Sequence, residues 1–328
     1  MLCCGLTMRI RMICPAPPGS FYGNRITAVR WAEILRQLGS EIAVAADYRG
    51  EPCDLLVALH AWRSAPAVLR FRRFHPNRPA IVALTGTDVY RDIHRFRRAR
   101  RALETADRLV ALQPLAALEL PEGERAKVRV IYQSVEPTRA PVVSRKDDFI
   151  VTVVGHLRRV KDPLRAAYAS RGLDASSRIR VVQYGAAIEP RFAAAARAEE
   201  RRNARYQWRG EVGRTRLRRL LAGSQLMVLS SRMEGGANVI SEAVVDRVPV
   251  LASKIPGSIG LLGDDYPGYF PAGDTVALRE LMRRAETDGA FYRDLKSRCA
   301  RRARLFLPAR EKAAWRALLG ELSGYPNG

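Results

Sequence analysis

Short runs rich in Val, Ile, Leu and Ala recur at residues 9–14, 41–46, 55–59, 80–84, 108–112 and 128–131. Apolar runs of this length read as strands buried on both faces, the pattern of a parallel sheet. Between the first two runs, Ala28, Trp31, Ala32, Leu35 and Leu38 fall on one face of a helix spanning 26–38, while Arg30, Glu33, Arg36 and Gln37 fall elsewhere. Gly39 supplies the stop. Strand, crossover helix, strand is the βαβ unit, and its repetition predicts a doubly wound sheet. A second series of strands is predicted at 149–154, 178–184, 206–208, 226–230, 249–252 and 269–270, again with helical stretches between. Residues 136–148, polar and charged with two prolines, separate the two series. The pattern thus predicts an α/β chain of two Rossmann-like, doubly wound domains facing across a cleft. The first is expected over 1–140 and the second over 148–300. A helical segment over 301–328, interrupted by Pro308, is expected to pack across both.

A length of 328 residues with 47% hydrophobic and 27% charged composition suits two globular domains. The longest stretch free of Asp, Glu, Lys and Arg is thirteen residues, 12–24, against roughly 18 needed to span a bilayer. No transmembrane helix is predicted. Residues 1–7 read as a leader before the first strand rather than as a signal peptide, and a cytoplasmic location is expected. Five Cys and four His show no CxxC spacing, so neither a zinc ribbon nor a disulfide framework is legible, and Cys3 and Cys4 receive no role.

The net charge of +23 comes from 56 Lys and Arg against 33 Asp and Glu, and only six of the bases are Lys. Such a charge attracts polyanions without specifying one. The Arg residues are scattered and only 7% of the chain is aromatic, so no specific nucleic-acid partner is predicted. The densest basic run, 95–103, reads as a solvated helix face.

Chemistry concentrates after the strand at 226–230, where Glu234 and Glu242 are separated by seven residues. Spacing alone is weak, since 18 Glu in 328 residues give roughly one such pair by chance, and Glu33 with Glu41 is another. Context separates the two pairs. Glu234 and Glu242 flank a strand exit, Gly235, Gly236 and a helix opening at Ala237 and Asn238. The glycines admit close backbone approach, and the helix opening offers N–H groups to a pyrophosphate. Glu242 could accept from ribose hydroxyls and Glu234 from a sugar. An ordinary Gly-rich turn before a helix remains the competing reading.

This stretch resembles the E-x7-E signature of GT-B-fold glycosyltransferases, glycosyltransferase family 4 in particular. In the same order, residues 154–161 (VGHLRRVK) resemble the family's G-R-L-x3-K segment, whose basic residues hold the donor diphosphate. Lys161 matches the family's Lys. His156 replaces its Arg, with Arg158 and Arg159 alongside. Residues 208–212 (WRGEV) resemble the nucleobase-side segment, which implies main-chain contacts near Val212. In the first domain, 17–35 resembles the family's glycine loop and first helix, and Thr85, Gly86, Thr87 and Asp88 occupy its T-x-x-G-x-D region. The His usual there is missing. His60 is the only first-domain His directly at a strand's carboxyl end, whereas His75 and His94 lie in helical or loop stretches.

GNRITAVRWAEIL, LLVALHAWRSA, ALTGTDVYRD, GHLRRVKDPLRAA, SRMEGGANVISEA and SKIPGSIGLLGDDYPGYFP together resemble the selenosugar synthases of selenoneine biosynthesis, from residue 8 to about 286. That resemblance implies transfer of a sugar from UDP-N-acetylglucosamine or UDP-glucose to the selenium of selenophosphate. It implies selenophosphate synthetase and selenoneine synthase as pathway partners. Glu234, Lys161 and His60 are the expected catalytic residues. The donor set is His156, Arg158, Lys161, Val212, Glu234, Gly235, Gly236, Ala237, Asn238 and Glu242; Gly23, Asn24, Arg25, Arg63, Thr85 and Thr87 form the acceptor set. No D-x-D triplet occurs, so no metal or other cofactor is expected. Two rival readings stay open: a family 4 enzyme acting on a hydroxyl acceptor, and a basic nucleic-acid-binding protein on an inert transferase fold.

Overall fold

The computed structural model describes residues 7–140 and 147–322. Cys3, Cys4, most of the expected leader and much of the expected boundary segment lie outside the described residues. The chain divides into two compact units, residues 1–134 with 308–328 and residues 135–307.

The first unit holds a parallel sheet of β1 (Arg9–Ile13), β2 (Glu41–Ala45), β3 (Leu55–Leu59), β4 (Ala80–Leu84), β5 (Arg108–Ala111) and β6 (Val128–Val130), in the order β2-β1-β3-β4-β5-β6. Every residue of β3 and β4 is buried, because both faces of the sheet are covered. Leu55, Val57, Leu59, Ile81 and Ala83 share one core with Trp31, Leu35, Trp315 and Leu318. Leu56, Ala58, Val82 and Leu84 face the other way, into a core with Val68, Phe71 and Leu103. The period of two along each strand therefore sorts its side chains between two helical layers.

The first helix runs Gly23–Gln37, three residues ahead of the expected start, and stops before Gly39, whose φ of +93° only glycine adopts readily. The basic run at 95–103 is not one helix. It breaks at Phe96 (φ −115°, ψ 116°), whose ring stacks on Trp62 at 4.7 Å, and resumes as the helix Arg97–Thr105. Pro308, expected as an interruption, instead opens the helix Pro308–Leu322 in the position where a missing N–H costs nothing.

That helix is locked to the first unit by Glu311, which is 2% exposed. Its carboxylate accepts from Trp31 Nε1 at 2.7 Å, from Arg30 Nε at 3.0 Å and from the Ser134 backbone N–H at 2.9 Å, and it also bonds the Ser134 hydroxyl. Four donors from distant parts of the chain replace the water this charge gives up.

The second unit holds a parallel sheet of β7 (Phe149–Val154), β8 (Ile179–Tyr184), β9 (Tyr206–Trp208), β10 (Leu226–Leu229), β11 (Val250–Ser253) and β12 (Tyr269–Phe270), in the order β12-β11-β10-β7-β8-β9. Met227, Leu251, Ile240, Leu278, Met282 and Leu295 are among its fully buried side chains. Asp274 and Asp288 cap the helices Thr275–Thr287 and Gly289–Arg302 through the backbone N–H groups of Ala277, and of Ala290 and Phe291. Among the described residues, no helix is long and apolar enough to cross a membrane.

Removing the Glu311 carboxylate takes the acceptor from the buried Trp31 N–H and the ion-pair partner from half-buried Arg30, so Glu311→Ala is expected to cost about 3–5 kcal/mol in urea denaturation, and Glu311→Gln clearly less. Equal losses would mean that shape rather than charge holds this helix. The same helix carries Glu321, which accepts from Arg129 at 2.8 Å and Arg108 at 2.9 Å. Those hydrogen bonds, Arg129's first, hold its carboxyl down to about 2. A depressed carboxyl stabilises the fold above its unfolded pKa of about 4.3 and loses that contribution as pH falls toward 2. Glu321→Gln should therefore flatten the fall of melting temperature between about pH 4.5 and 2, and an unchanged acid slope would exclude the clamp.

Candidate active site

All carboxyl ends of a parallel sheet lie on one edge, and a crevice opens where neighbouring strands send their crossovers to opposite faces. In the second unit that point lies between β7 and β10, with β8 on the far side of β7 and β11 on the far side of β10. The loop after β7 carries His156, Arg158 and Lys161, with a short turn at Arg159–Lys161 followed by Asp162 in the left-handed region at φ 43°. The loop after β10 carries Ser230 through Ala237 and opens the helix Asn238–Val245.

These two loops meet. Lys161 Nζ lies 2.5 Å from Glu234 Oε1, and Ser231 Oγ donates to the same oxygen at 2.5 Å. Ser230 Oγ donates to the carbonyls of Asp162 at 2.9 Å and Lys161 at 3.2 Å, which pins the turn that carries the lysine. Ser253, at the end of β11, donates to the Ser231 carbonyl. Behind the loop, a Cβ on Gly257 would come within 2.0 Å of the Glu234 carbonyl oxygen, so only glycine lets the helix Pro256–Leu262 approach this closely. A small pocket beside the pair is lined by Gly155, Lys161, Gln183, Ser230 and Ser231. Gln183 is fully buried, its Oε1 accepts from Tyr206 at 2.6 Å, and its Nε2 has no partner among the described residues.

Glu234 and Glu242, paired by spacing, meet different cations, Lys161 and Arg214. Glu242 sits in the first turns of its helix with Oε1 3.3 Å from Arg214 Nη2. No side chain caps that helix's opening and no acid occupies its first turn. His156 and Val212 are half-buried and Arg158 is exposed. Sequence reasoning missed Ser230, Ser231 and Arg214; the only available signal was Ser231 standing three residues before Glu234, a spacing shared with helix caps.

In the first unit the corresponding point lies between β1 and β3. Gly23, Asn24 and Arg25 open the helix after β1, again with no side-chain cap and no acid in the first turn. Arg25 lies beside the buried Cys14 thiol, whose pKa burial pushes up against the opposing pull of Arg25. After β3, His60 takes φ 76°, a value rare outside glycine and frequent at functional turns. Its Nδ1 accepts from the Arg63 N–H at 3.4 Å, and its Nε2 lies 3.3 Å from Thr87 Oγ1 and 3.7 Å from Asp92 Oδ2.

His60 is thus brought together with Thr87, and Arg63 meets it only through the backbone, its side chain being exposed. Asp88, fully buried, accepts from the backbone N–H groups of Ala61 at 3.0 Å, Thr85 at 3.2 Å and Gly86 at 2.7 Å, tying the loop after β3 to the loop after β4. A single wide turn at Asp88–Asp92 carries Asp92 back toward His60. Asp92 was not anticipated from sequence, because nothing marks it apart from other helical acids. Among the described residues, no three His, Cys, Asp or Glu side chains are grouped to hold a metal ion.

The arrangement in the second unit offers two cations, Lys161 and Arg214, two carboxylates and an uncapped helix opening at a strand edge. That set can bind a phosphorylated, hydroxyl-bearing molecule. The fold as a whole is shared with solved structures. A HepE protein from Anabaena, crystallised with UDP and glucose, superposes with a TM-score of 0.77 at 16% identity, covering 96% of this chain and 100% of that one. Sucrose-phosphate synthase from Thermosynechococcus elongatus gives 0.77 at 16% identity over 96% and 99%. The N-terminal domain of Candida albicans trehalose-6-phosphate phosphatase gives 0.70 at 10% over 97% and 97%. Identities this low speak for the fold alone. Residues 134–306, more than half of the chain and nearly all of the second unit, match the family described as glycosyl transferases group 1, and the chain belongs to that family.

Proposed function

We propose that this glycosyltransferase takes its sugar from a UDP-sugar, UDP-N-acetylglucosamine or UDP-glucose, and transfers it to the selenium of selenophosphate in the cytoplasm. The observation that carries the donor half is the meeting of Lys161 with Glu234 beside an uncapped helix opening. A cation and helix N–H groups suit the diphosphate, Glu242 the ribose, and Glu234 the sugar. UDP in a fold neighbour supports the nucleotide. The acceptor half rests on the first-unit segments around Gly23, Arg25, Thr85 and Thr87 and their resemblance to the selenosugar synthases.

In this reading selenium attacks the anomeric carbon, the bond from that carbon to the diphosphate oxygen breaks, and UDP departs with the electron pair. Water then cleaves the selenium–phosphorus bond, giving phosphate its oxygen and selenium its proton. A selenophosphate is already anionic at neutral pH, so its attack requires no strong base. Leaving-group charge falls on Lys161, on His156 or Arg158, and on the backbone of Gly235, Gly236, Ala237 and Asn238, and no metal enters the scheme. His60 lends itself to orienting the acceptor. One observation favours a hydroxyl acceptor instead: His60 with Asp92 at 3.7 Å resembles the pairing a general base needs. Against it, both ring nitrogens already have partners and the side chain is only 6% exposed.

Mass spectrometry of the protein incubated with each UDP-sugar and selenophosphate should reveal a selenosugar together with UDP. Product with hydroxyl acceptors alone would replace the selenium reading with the conventional one. Lys161→Ala should lower kcat by roughly 10²–10³-fold, since diphosphate charge grows in the transition state. Glu242→Ala should weaken UDP binding, whereas Glu234→Ala should damage turnover more than UDP affinity. Small, equal effects of the two Glu variants would remove this division of labour.

A further inference from the structure

Glu234 Oε1 accepts from two donors, Lys161 Nζ and Ser231 Oγ. Lys161 Nζ is the mobile one of the two toward a diphosphate, whose charge exceeds that of a single carboxylate. Its main chain cannot follow, because Ser230 holds the carbonyls of Lys161 and Asp162. In the UDP-sugar reading, any turn toward the diphosphate falls to the ammonium group alone. Glu234, 9% exposed, then depends on its second donor, the Ser231 hydroxyl. Ser231 is 1% exposed, and its carbonyl is itself fixed by fully buried Ser253. Gly257 packs the neighbouring helix against the Glu234 backbone, and the carboxylate itself bonds the Lys161 ammonium and the Ser231 hydroxyl.

We propose that Ser231 is a positioning residue for sugar recognition: it keeps Glu234 aimed at the transferred sugar once the diphosphate has drawn Lys161 away. Without that hydroxyl, the nearly buried carboxylate would either track the ammonium or stand with one donor too few, and both outcomes misplace it. The proposal rests on the UDP-sugar reading above but not on the identity of the acceptor. It assigns Ser231 no contact with substrate.

Calorimetric titration of the full chain with UDP and with UDP-glucose or UDP-N-acetylglucosamine tests it without any acceptor. In Ser231→Ala the affinity of the UDP-sugar relative to UDP should fall by about fivefold, while UDP affinity itself stays within about twofold of wild type. Ser231→Cys, which keeps the volume but weakens the hydrogen bond, should fall in the same direction. On a Glu234→Ala background, Ser231→Ala should change the ratio by less than about twofold, because the group it positions is gone. Equal weakening of UDP and UDP-sugar, or an undiminished effect on the Glu234→Ala background, overturns the positioning role and leaves the donor reading standing. Absence of UDP binding by the wild-type protein overturns the donor reading, and this inference with it.

Discussion

A carboxylate leaves water only when other donors take water's place, and in this chain carboxylates are the scarce partner of a large excess of arginine. Their placement shows what that scarcity is used for. Asp88 gathers backbone N–H groups from the loops after β3 and β4. Glu311 gathers Trp31, Arg30 and Ser134. Asp246 takes the Thr138 N–H at 2.7 Å together with Arg218 at 2.8 Å, and Glu286 takes the Arg178 N–H at 2.6 Å. Asp107 takes the Ala80 N–H at 2.7 Å and Arg72 at 2.5 Å. In each case one acid joins segments far apart in the chain, and the arginines left over spread across the surface.

Both units obey the same layout because a parallel sheet leaves little choice. Crossovers put every strand's carboxyl end on one edge, and the strand orders place a switch between β1 and β3 in one unit and between β10 and β7 in the other. Loops at those points must satisfy backbone groups that no neighbouring strand reaches. The first unit does so with a strained histidine and a buried aspartate, the second with serines that grip carbonyls. Lys161 and Glu234, 73 residues apart in sequence, become neighbours through this geometry alone.

The strands were legible because each is a compact apolar run, and a run buried on both faces looks the same wherever it falls. Helix ends were less so. Gly23 gives no capping signal, and the break at Phe96 depends on an aromatic partner, Trp62, that lies far away in the chain. At the candidate site, Glu234, Glu242 and Lys161 stood out through spacing and resemblance, and their chemistry could be sketched. Their partners could not. That Lys161 closes on Glu234 rather than standing open, that Arg214 sits on Glu242, and that Asp92 reaches His60 are facts of chain crossing, and no local pattern encodes them.

The helix Pro308–Leu322 joins the first unit only after the entire second unit has intervened in the chain. On the ribosome, where domains tend to form in the order of synthesis, the sheet β1 to β6 is complete long before Trp315, Leu318 and Leu322 emerge. Until then Trp31 lacks both the edge-on indole of Trp315, 4.9 Å away in the finished fold, and the acceptor for its own N–H. The nascent first unit therefore presents an apolar strip where Trp31 later meets the returning helix. Docking of the helix Pro308–Leu322 covers that strip, so this part of the core closes only after both sheets have been synthesised.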